Sequence, residues 1–590
     1  MRTLEPINEK ALLEKYISKE YDQLSEFFIS VLEHFERVIY LELSSKLEQI
    51  INIFLKHFLY IITQQDYVLE DRYITRFIQL NPTISNLVSI SSFGTTDPYL
   101  KILENQTNNF VKILALYSAR NTHKLDRKLL FETESSLASL WYSAYVGIYR
   151  CALVNPEVRQ NLADHLAYAD ENHKTWHNIS DIYFGATYID NVLDSHVKHR
   201  INQTIQTRFV SEGVRCQNTP TPRKIAIATS MWFPNHSVYR ILFGLVDSLR
   251  SEYDLTLIHL GNIRNDLDIS LFNRAKYVYF EHGSLNISSV LSNDFQMIYY
   301  PDVGMSTESI LLANLRLAPI QTCGLGHSVS TFGSLIDYFF SGEEVEPPIG
   351  AENNYSERLV LLPGLGAIHN VPLYQLQYVQ KQREEILINC PWYAQKVNYE
   401  HICLLKEIIR QSSKKIIFRF FSGGALNRAN DFLLFVKDLK SVLGKDHVEV
   451  FPAKPYAEYM ELMEEGDFSL DSYHFGGCNV VSDSLYLHKP IVSWEGDQWY
   501  NRIGPRTLMR AGLTELVVRD AQEYVQLALK LIHDDQYRHS LQTQLAQTDI
   551  RDKIYGPQEK RYFKAAIDYL CAHHESLKHD IVKTPIRIPR

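Results

Sequence analysis

The sequence predicts an all-helical domain followed by two α/β domains, each a parallel sheet with helices on both faces. Three observations carry this reading. Apolar residues near the start recur at three- and four-residue spacing. From Lys224 onward, short apolar runs alternate with amphipathic ones. After an irregular interval the alternation begins afresh near Glu385.

The helical part is clearest at Leu47, Ile51, Phe54, Phe58 and Ile62, which mark one face of a helix. Similar stretches lie around 12–32, 99–117 and 137–153, without a fixed repeat period. SEGVRCQNTPTPRK then reads as a linker, because Pro220 and Pro222 stop any helix. Next come KIAIATSMWF as a strand, PNHS as a turn and HSVYRILFGLVDSLR as a helix. DLTLIHL, KYVYFEH and FQMIYYPDVG are further strands. RLAPIQTCGLGHSVSTFGSLIDYFFSG sets Gly326 and His327 in a loop between apolar segments. The irregular interval to about Tyr378 reads as an interdomain connection. EEILINCP, KKIIFRFFSGG and HVEVFPA are strands of the last domain, and residues 467–518 close it as a β-α-β-α-β run. The expected boundaries are 1–215 (helical), 223–375 and 384–575 (the two α/β domains) and a tail, 576–590.

Composition narrows the classes. With 590 residues the chain exceeds one core, and 45% hydrophobic with 22% charged residues suits a soluble globular protein. A net charge of −9 argues against nucleic acid or an anionic membrane as partner. The seven cysteines are scattered without ligand spacing, as reduced cytoplasmic thiols would be. MRTLEPINEKALLEKY has no apolar core like that of a signal peptide. IINIFLKHFLYII is too short to span a bilayer and carries Lys56 and His57, so no membrane span is expected.

The candidate chemistry follows strand ends. In DFSLDSYHFGGCNVVSD, Gly476 and Gly477 allow close backbone approach, and Asn479 can cap a helix whose N–H groups face outward. Such a helix end suits a diphosphate, and Asp483 one turn in could accept from ribose hydroxyls. An ordinary glycine loop with an Asn cap fits the same spacing. His236 and Arg240 follow the first α/β strand and share one helix face. A capping turn with a surface arginine fits them too. Gly326-His327 and Lys396, each in a loop after a strand, are read equally well as structural or solvated residues.

The ordered set of motifs is more specific. YYPDVGMSTESILLANLRLAPIQTCGLGHSVSTFGSLIDYFFSGEE resembles the R-x-APIQ … LGHP … IDY segment of glycosyltransferase family 41. That family holds the O-linked N-acetylglucosamine transferases and the bacterial cytoplasmic N-glycosyltransferases that modify adhesins. PNHSVYR, PWYAQKVNYEHICLLKEI, FGGCNVVSD and RIGPRTLMRAGLTELVV are similar to further motifs of the bacterial group. The resemblance covers roughly 224–575. It implies the GT-B architecture, two Rossmann-like domains facing across a cleft, with the helical part as the bacterial group's helical domain.

What the resemblance implies is an inverting transfer of a hexose, expected to be glucose, from a uridine-diphosphate sugar to asparagine in an Asn-x-Ser/Thr context. No cofactor and no bound metal are implied; the UDP-hexose is the donor substrate. The partner is an acceptor protein or glycoprotein, a secreted adhesin in the bacterial group. Lys396 is expected on the diphosphate, with Gly476, Gly477, Cys478 and Asn479 around the phosphates and Asp483 on the ribose. His236 and Arg240 face the reaction centre, and Gly326 and His327 lie near the sugar. His236 and His327 are the general-base candidates by position. Three departures stand out: FPAKPY for HPHSPY at 451–456, FGGCNV for FGNTNG, and Ser328 for the proline of LGHP. Lys454 is expected to offset the lost histidines by its charge. Two alternatives remain: a transferase of the same fold that extends a glycan or modifies Ser/Thr, and a catalytically silent paralogue that binds a partner.

Overall fold

The structure, a computed structural model, describes residues 7–377, 383–426, 429–556, 559–580 and 583–590. Residues 1–6 of the opening segment and Tyr378 at the end of the irregular interval lie outside that set. Contacts divide the chain into two compact units. One is Met1–Leu193 with Trp392–Lys406 and Phe420–Ala453; the other is Asp194–Pro391 with Glu407–Arg419 and Lys454–Arg590.

The first unit is mostly helical. Helices α1 (Tyr21–Arg37) and α2 (Ser45–Ile62) show why. Ser44 caps α2 by accepting a hydrogen bond from the Leu47 amide. Leu47, Ile51, Phe54, Phe58 and Ile62 are all buried, as their spacing predicts. Leu55, Leu59 and Ile61 are buried as well, so α2 is a core helix rather than a surface one. Phe28 of α1 meets Phe54 and Phe58 edge-on, with ring centroids 6.1 and 5.2 Å apart. Each such side chain contributes about 1.5–3 kcal/mol by leaving water.

The α/β part is built on the strands β1 (Gln217–Thr229), β2 (Asp254–Leu260), β3 (Arg274–Glu281), β4 (Ser284–Asn286), β5 (Ser292–Tyr300), β6 (Ile320–Cys323), β7 (Tyr338–Gly342) and β8 (Arg358–Leu362). They are followed by β9 (Ile386–Cys390), β10 (Ile416–Phe421), β11 (Val448–Phe451), β12 (Phe468–Leu470), β13 (Ile491–Trp494), β14 (Val517–Val518) and β15 (Ile586–Arg587). One sheet has the order β15-β8-β7-β6-β5-β1-β2-β3-β4, the other β11-β10-β9-β12-β13-β14. The first is parallel apart from the β3–β4 hairpin. From β1 its chain winds one way through β2 and β3, then restarts at β5 and winds the other way. The switch point lies between β1 and β5, where such sheets open a crevice. These are the two Rossmann-like sheets and the helical region that the sequence led us to expect.

Three stretches differ from expectation. The linker 211–224 is partly strand: β1 starts at Gln217 and runs through Pro220 and Pro222. Its register against β5 shifts on both sides of Thr221, so the prolines sit where the ladder is interrupted. Helix α3 (Asn191–Ser211), expected in the helical domain, lies from Asp194 onward in the second unit. Its buried Lys198 pairs with Asp194 at 3.0 Å, and its Asn202 donates to the Thr331 carbonyl at 2.7 Å.

Further along come α4 (Ser237–Asp247), α5 (Tyr456–Glu465), α6 (Asn479–Tyr486), α7 (Ile503–Ala511) and α8 (Lys560–Leu577). The third difference is at the end of the chain. Helix α8, expected with the second sheet, packs Phe563, Ala566, Ile567 and Leu570 into the core of the first. The expected tail supplies β15, parallel to β8, with Ile586 opposite Val360. Buried Ile586 and Ile588 drive this docking, and Arg358 holds Asp580 at 2.6 Å.

Candidate active site

Three loops of the second unit leave the carboxyl ends of β1, β5 and β6. The loop after β1 ends at His236, which caps α4: its Nδ1 accepts the Val238 amide hydrogen at 3.2 Å. A neutral ring with Nδ1 accepting holds its proton on Nε2, so His236 presents a donor. Burial, then the nearby Arg264, pushes this imidazole down to about 4.

His327 has the opposite tautomer. Its Nδ1 lies 2.8 Å from the Val303 carbonyl, which can only accept, so the proton is on Nδ1 and Nε2 is the acceptor nitrogen. Burial, with the Lys198 ammonium second, pushes it down to about 3. The amides of Gly326 and His327 both donate to the Pro301 carbonyl, at 3.0 and 2.9 Å. A Cβ at Gly326 would stand 2.6 Å from that same oxygen. Glycine is required there for this approach.

The fourth loop follows β12. Asp471 shapes it: Oδ1 accepts from the amides of Ser472 and Gly477 at 2.9 and 2.8 Å, and Oδ2 from the Ser493 hydroxyl at 2.6 Å. A Cβ on Gly477 would lie 2.9 Å from Asp471 Oδ1 and 2.3 Å from Val480 Cγ2. The Gly476 amide donates to the Tyr500 carbonyl at 2.9 Å. Helix α6 then begins with Cys478 as N-cap and no side-chain cap. Asn479 is therefore not the cap that the sequence suggested. As the first helical residue it turns its amide sideways: Nδ2 donates to the Ser237 carbonyl at 3.1 Å, and Oδ1 lies 3.1 Å from His369 Nδ1.

One turn on, Asp483 is 1% exposed. Its Oδ1 accepts from Arg240 Nη2 at 2.6 Å and from the Tyr456 hydroxyl at 2.7 Å, and its Oδ2 from Arg240 Nη1 at 3.4 Å. The Arg240 guanidinium also lies over the Tyr456 ring, 4.5 Å from its centroid. Burial works against the Arg240 charge, but Asp483 more than offsets it and holds the guanidinium above its usual range. The N-termini of α4 and α6 are thus bound directly to each other.

Of the expected residues, His236, Arg240, Gly476, Gly477, Cys478, Asn479 and Asp483 form one network. Gly326 and His327 stand on the loop beside it, joined through 301–303. Lys454 is exposed and paired with Glu458 at 3.2 Å, one helical turn away. Lys396 belongs to the first unit, half-buried at the end of the 3₁₀ turn Ala394–Lys396. Three residues escaped the sequence reading. Tyr456 carried no signal beyond its motif. Asp302 lay at a strand end, where ligand groups gather. His369 lay inside the supposed connection; it is buried, contacts Asn479, Ser482 and Cys478, and is pushed down to about 4 chiefly by burial.

No family model matches the chain. In sequence it is similar to the UDP-glucose:protein N-beta-glucosyltransferase of Actinobacillus pleuropneumoniae serotype 5b (strain L20), 25% identical over 467 residues, 74% of this chain and 73% of that protein. The corresponding protein of serotype 7 (strain AP76) is 28% identical over 256 residues, 42% and 40% of the two chains. A probable UDP-N-acetylglucosamine–peptide N-acetylglucosaminyltransferase SPINDLY of Petunia hybrida is 24% identical over 282 residues, 45% and 29%. In fold the chain is similar to a point mutant of Thermobaculum terrenum O-GlcNAc transferase, with a TM-score of 0.59, 16% identity, and 93% and 99% of the chains covered. By this fold and these relatives the chain is a family 41-like glycosyltransferase of GT-B architecture.

Proposed function

We propose that the protein is an inverting glycosyltransferase that moves glucose from UDP-glucose to the side-chain amide of asparagine in Asn-x-Ser/Thr. The observation that carries this reading is the direct junction of the α4 and α6 N-termini through Asn479–Ser237 and Arg240–Asp483. Two positive helix ends and a guanidinium held charged suit a diphosphate that gains charge as it leaves. The names of the bacterial relatives support glucose as the sugar and protein as the acceptor.

In the proposed step the acceptor nitrogen attacks the anomeric carbon, and the bond from that carbon to the diphosphate oxygen breaks with its electron pair. His327 Nε2, an acceptor, orients the attacking amide, and the proton the amide releases passes to the departing diphosphate, because an imidazole pushed down to about 3 does not hold it. His236 Nε2 donates to the sugar or the leaving oxygen. The backbone from Gly476 to Asn479 meets the phosphates, and Lys396 adds its charge to the diphosphate. Asp483 already accepts three bonds, and a carboxylate has about four lone-pair sites. One remains for a ribose hydroxyl. Residues 223–375 would then serve the acceptor side and 384–575 the donor. Lys454 serves as an outer cation for the donor; Lys454→Ala leaving donor affinity unchanged would remove that role.

The reading extends to a cytoplasmic enzyme with a secreted protein as acceptor, working without a metal ion; full turnover in excess chelator is the expected outcome. Among the described residues no helix is long and apolar enough to cross a membrane. The decisive experiment incubates the protein with UDP-glucose and an Asn-x-Thr peptide and reads the product by mass spectrometry. A single added hexose on asparagine is expected, lost on Lys396→Ala. Transfer to Ser, Thr or an existing glycan, or none at all, would overturn the reading.

A further inference from the structure

The segment Pro301–Asp302–Val303 leaves β5 at the switch point of the first sheet. Asp302 Oδ2 accepts three hydrogen bonds from the exit of β1: the Thr229 hydroxyl at 3.1 Å, the Ser230 amide at 3.2 Å and the Ser230 hydroxyl at 3.0 Å. These pin the start of the loop that ends at His236. The carbonyls on either side of Asp302 pin the other loop. Pro301 receives the amides of Gly326 and His327, and Val303 receives His327 Nδ1. One tripeptide therefore sets the entry of the His236 loop and the backbone and ring of His327.

We propose that Asp302 is a positioning residue that keeps the His236 and His327 loops in one register for the transfer step. The proposal rests on the roles given above to those two histidines. Asp302 is 0% exposed, and its Oδ1 has no hydrogen-bond partner among the described residues. An ionised carboxylate in that setting costs stability, and an asparagine would offer one acceptor oxygen without the charge. What the carboxylate adds is strength: bonds to an ionised acceptor are shorter and roughly twice as strong as neutral ones. Burial pushes its carboxyl group up to about 6, so the charge is present at neutral pH and weighs on the folded state there.

The test compares Asp302→Ala, Asp302→Asn and Ser230→Ala with the unaltered protein. The readouts are kcat and KM for UDP-glucose, the melting temperature at pH 8, and the imidazole NMR resonances of His236 and His327. Asp302→Ala should displace both resonances and lower kcat at least about tenfold with little change in KM. Asp302→Asn should return both resonances toward their original positions, recover most of kcat and melt higher than the unaltered protein at pH 8. Ser230→Ala should move the His236 resonance and leave that of His327. Unmoved resonances in Asp302→Ala, or in Ser230→Ala if the former does not fold, would overturn the proposal. So would an Asp302→Asn protein as slow as Asp302→Ala. Absence of transfer by the unaltered protein overturns the function instead, and the resonances still read the positioning.

Discussion

Arg240 and Asp483 are 9% and 1% exposed, and each is what makes the other tolerable. Removing one partner of a buried pair strands the other and costs about 3–5 kcal/mol. Asp483→Ala should therefore melt well below the unaltered protein, and adding Arg240→Met should restore most of the loss; a single variant as stable as the original would contradict this. Asp483→Ala is accordingly a poor probe of ribose binding, and Lys396→Ala is the cleaner test of the proposed function. Histidines held neutral in the fold contribute to the pH response. His236, His327 and His369 are pushed down to about 4, 3 and 4, so between those values and the ordinary 6.5 the unfolded chain binds protons that the folded chain refuses. Stability then rises with pH, and the melting temperature should fall steadily as pH is lowered from 7 to 4.5. Asp302, Glu346 and Asp438, whose carboxyl groups burial pushes up, act in the opposite sense, but His34, His177, His196, His259, His488 and His574 are pushed down as well and add to the histidine side. A melting temperature that His327→Gln leaves equally steep in pH would refute this assignment.

Loops and helix ends carry the site, and here glycine positions are informative. Gly477→Ala would force a Cβ to 2.9 Å from Asp471 Oδ1 and should displace the loop before α6, weakening donor binding by about tenfold or more in calorimetry. Gly424→Ala, where a Cβ meets nothing within 4 Å, is the matched control and should bind donor normally. Much of this element was legible in the sequence. The Gly-Gly turn, the helix start beside Asn479 and the four-residue step from His236 to Arg240 are local patterns, fixed by spacing. The partners were not legible. That Asn479 reaches Ser237, that Arg240 holds Asp483, and that His369 lies against both Asn479 and Ser482 depend on contacts more than a hundred residues apart in the chain. Proline in 211–224 misled for a related reason. It forbids a helix but not a strand with an interrupted ladder, and only the partner β5 decides between them.

At the scale of the molecule, the first sheet is closed by the far end of the chain. Ending the chain at Lys578 would strip Ile586 and Ile588, each worth about 1.5–3 kcal/mol of burial, together with the Arg358–Asp580 pair. Such a truncation should lower the denaturant midpoint; an unchanged midpoint would mean that β15 adds nothing. The same arrangement orders events at the ribosome. More than two hundred residues separate the end of β8 from β15, a delay of roughly 10–45 s at ordinary elongation rates. Throughout it, the nascent sheet carries a bare edge at β8 and an apolar face awaiting α8. The early half of the enzyme is thus finished last, and a chaperone that shields nascent chains has its longest task on that surface.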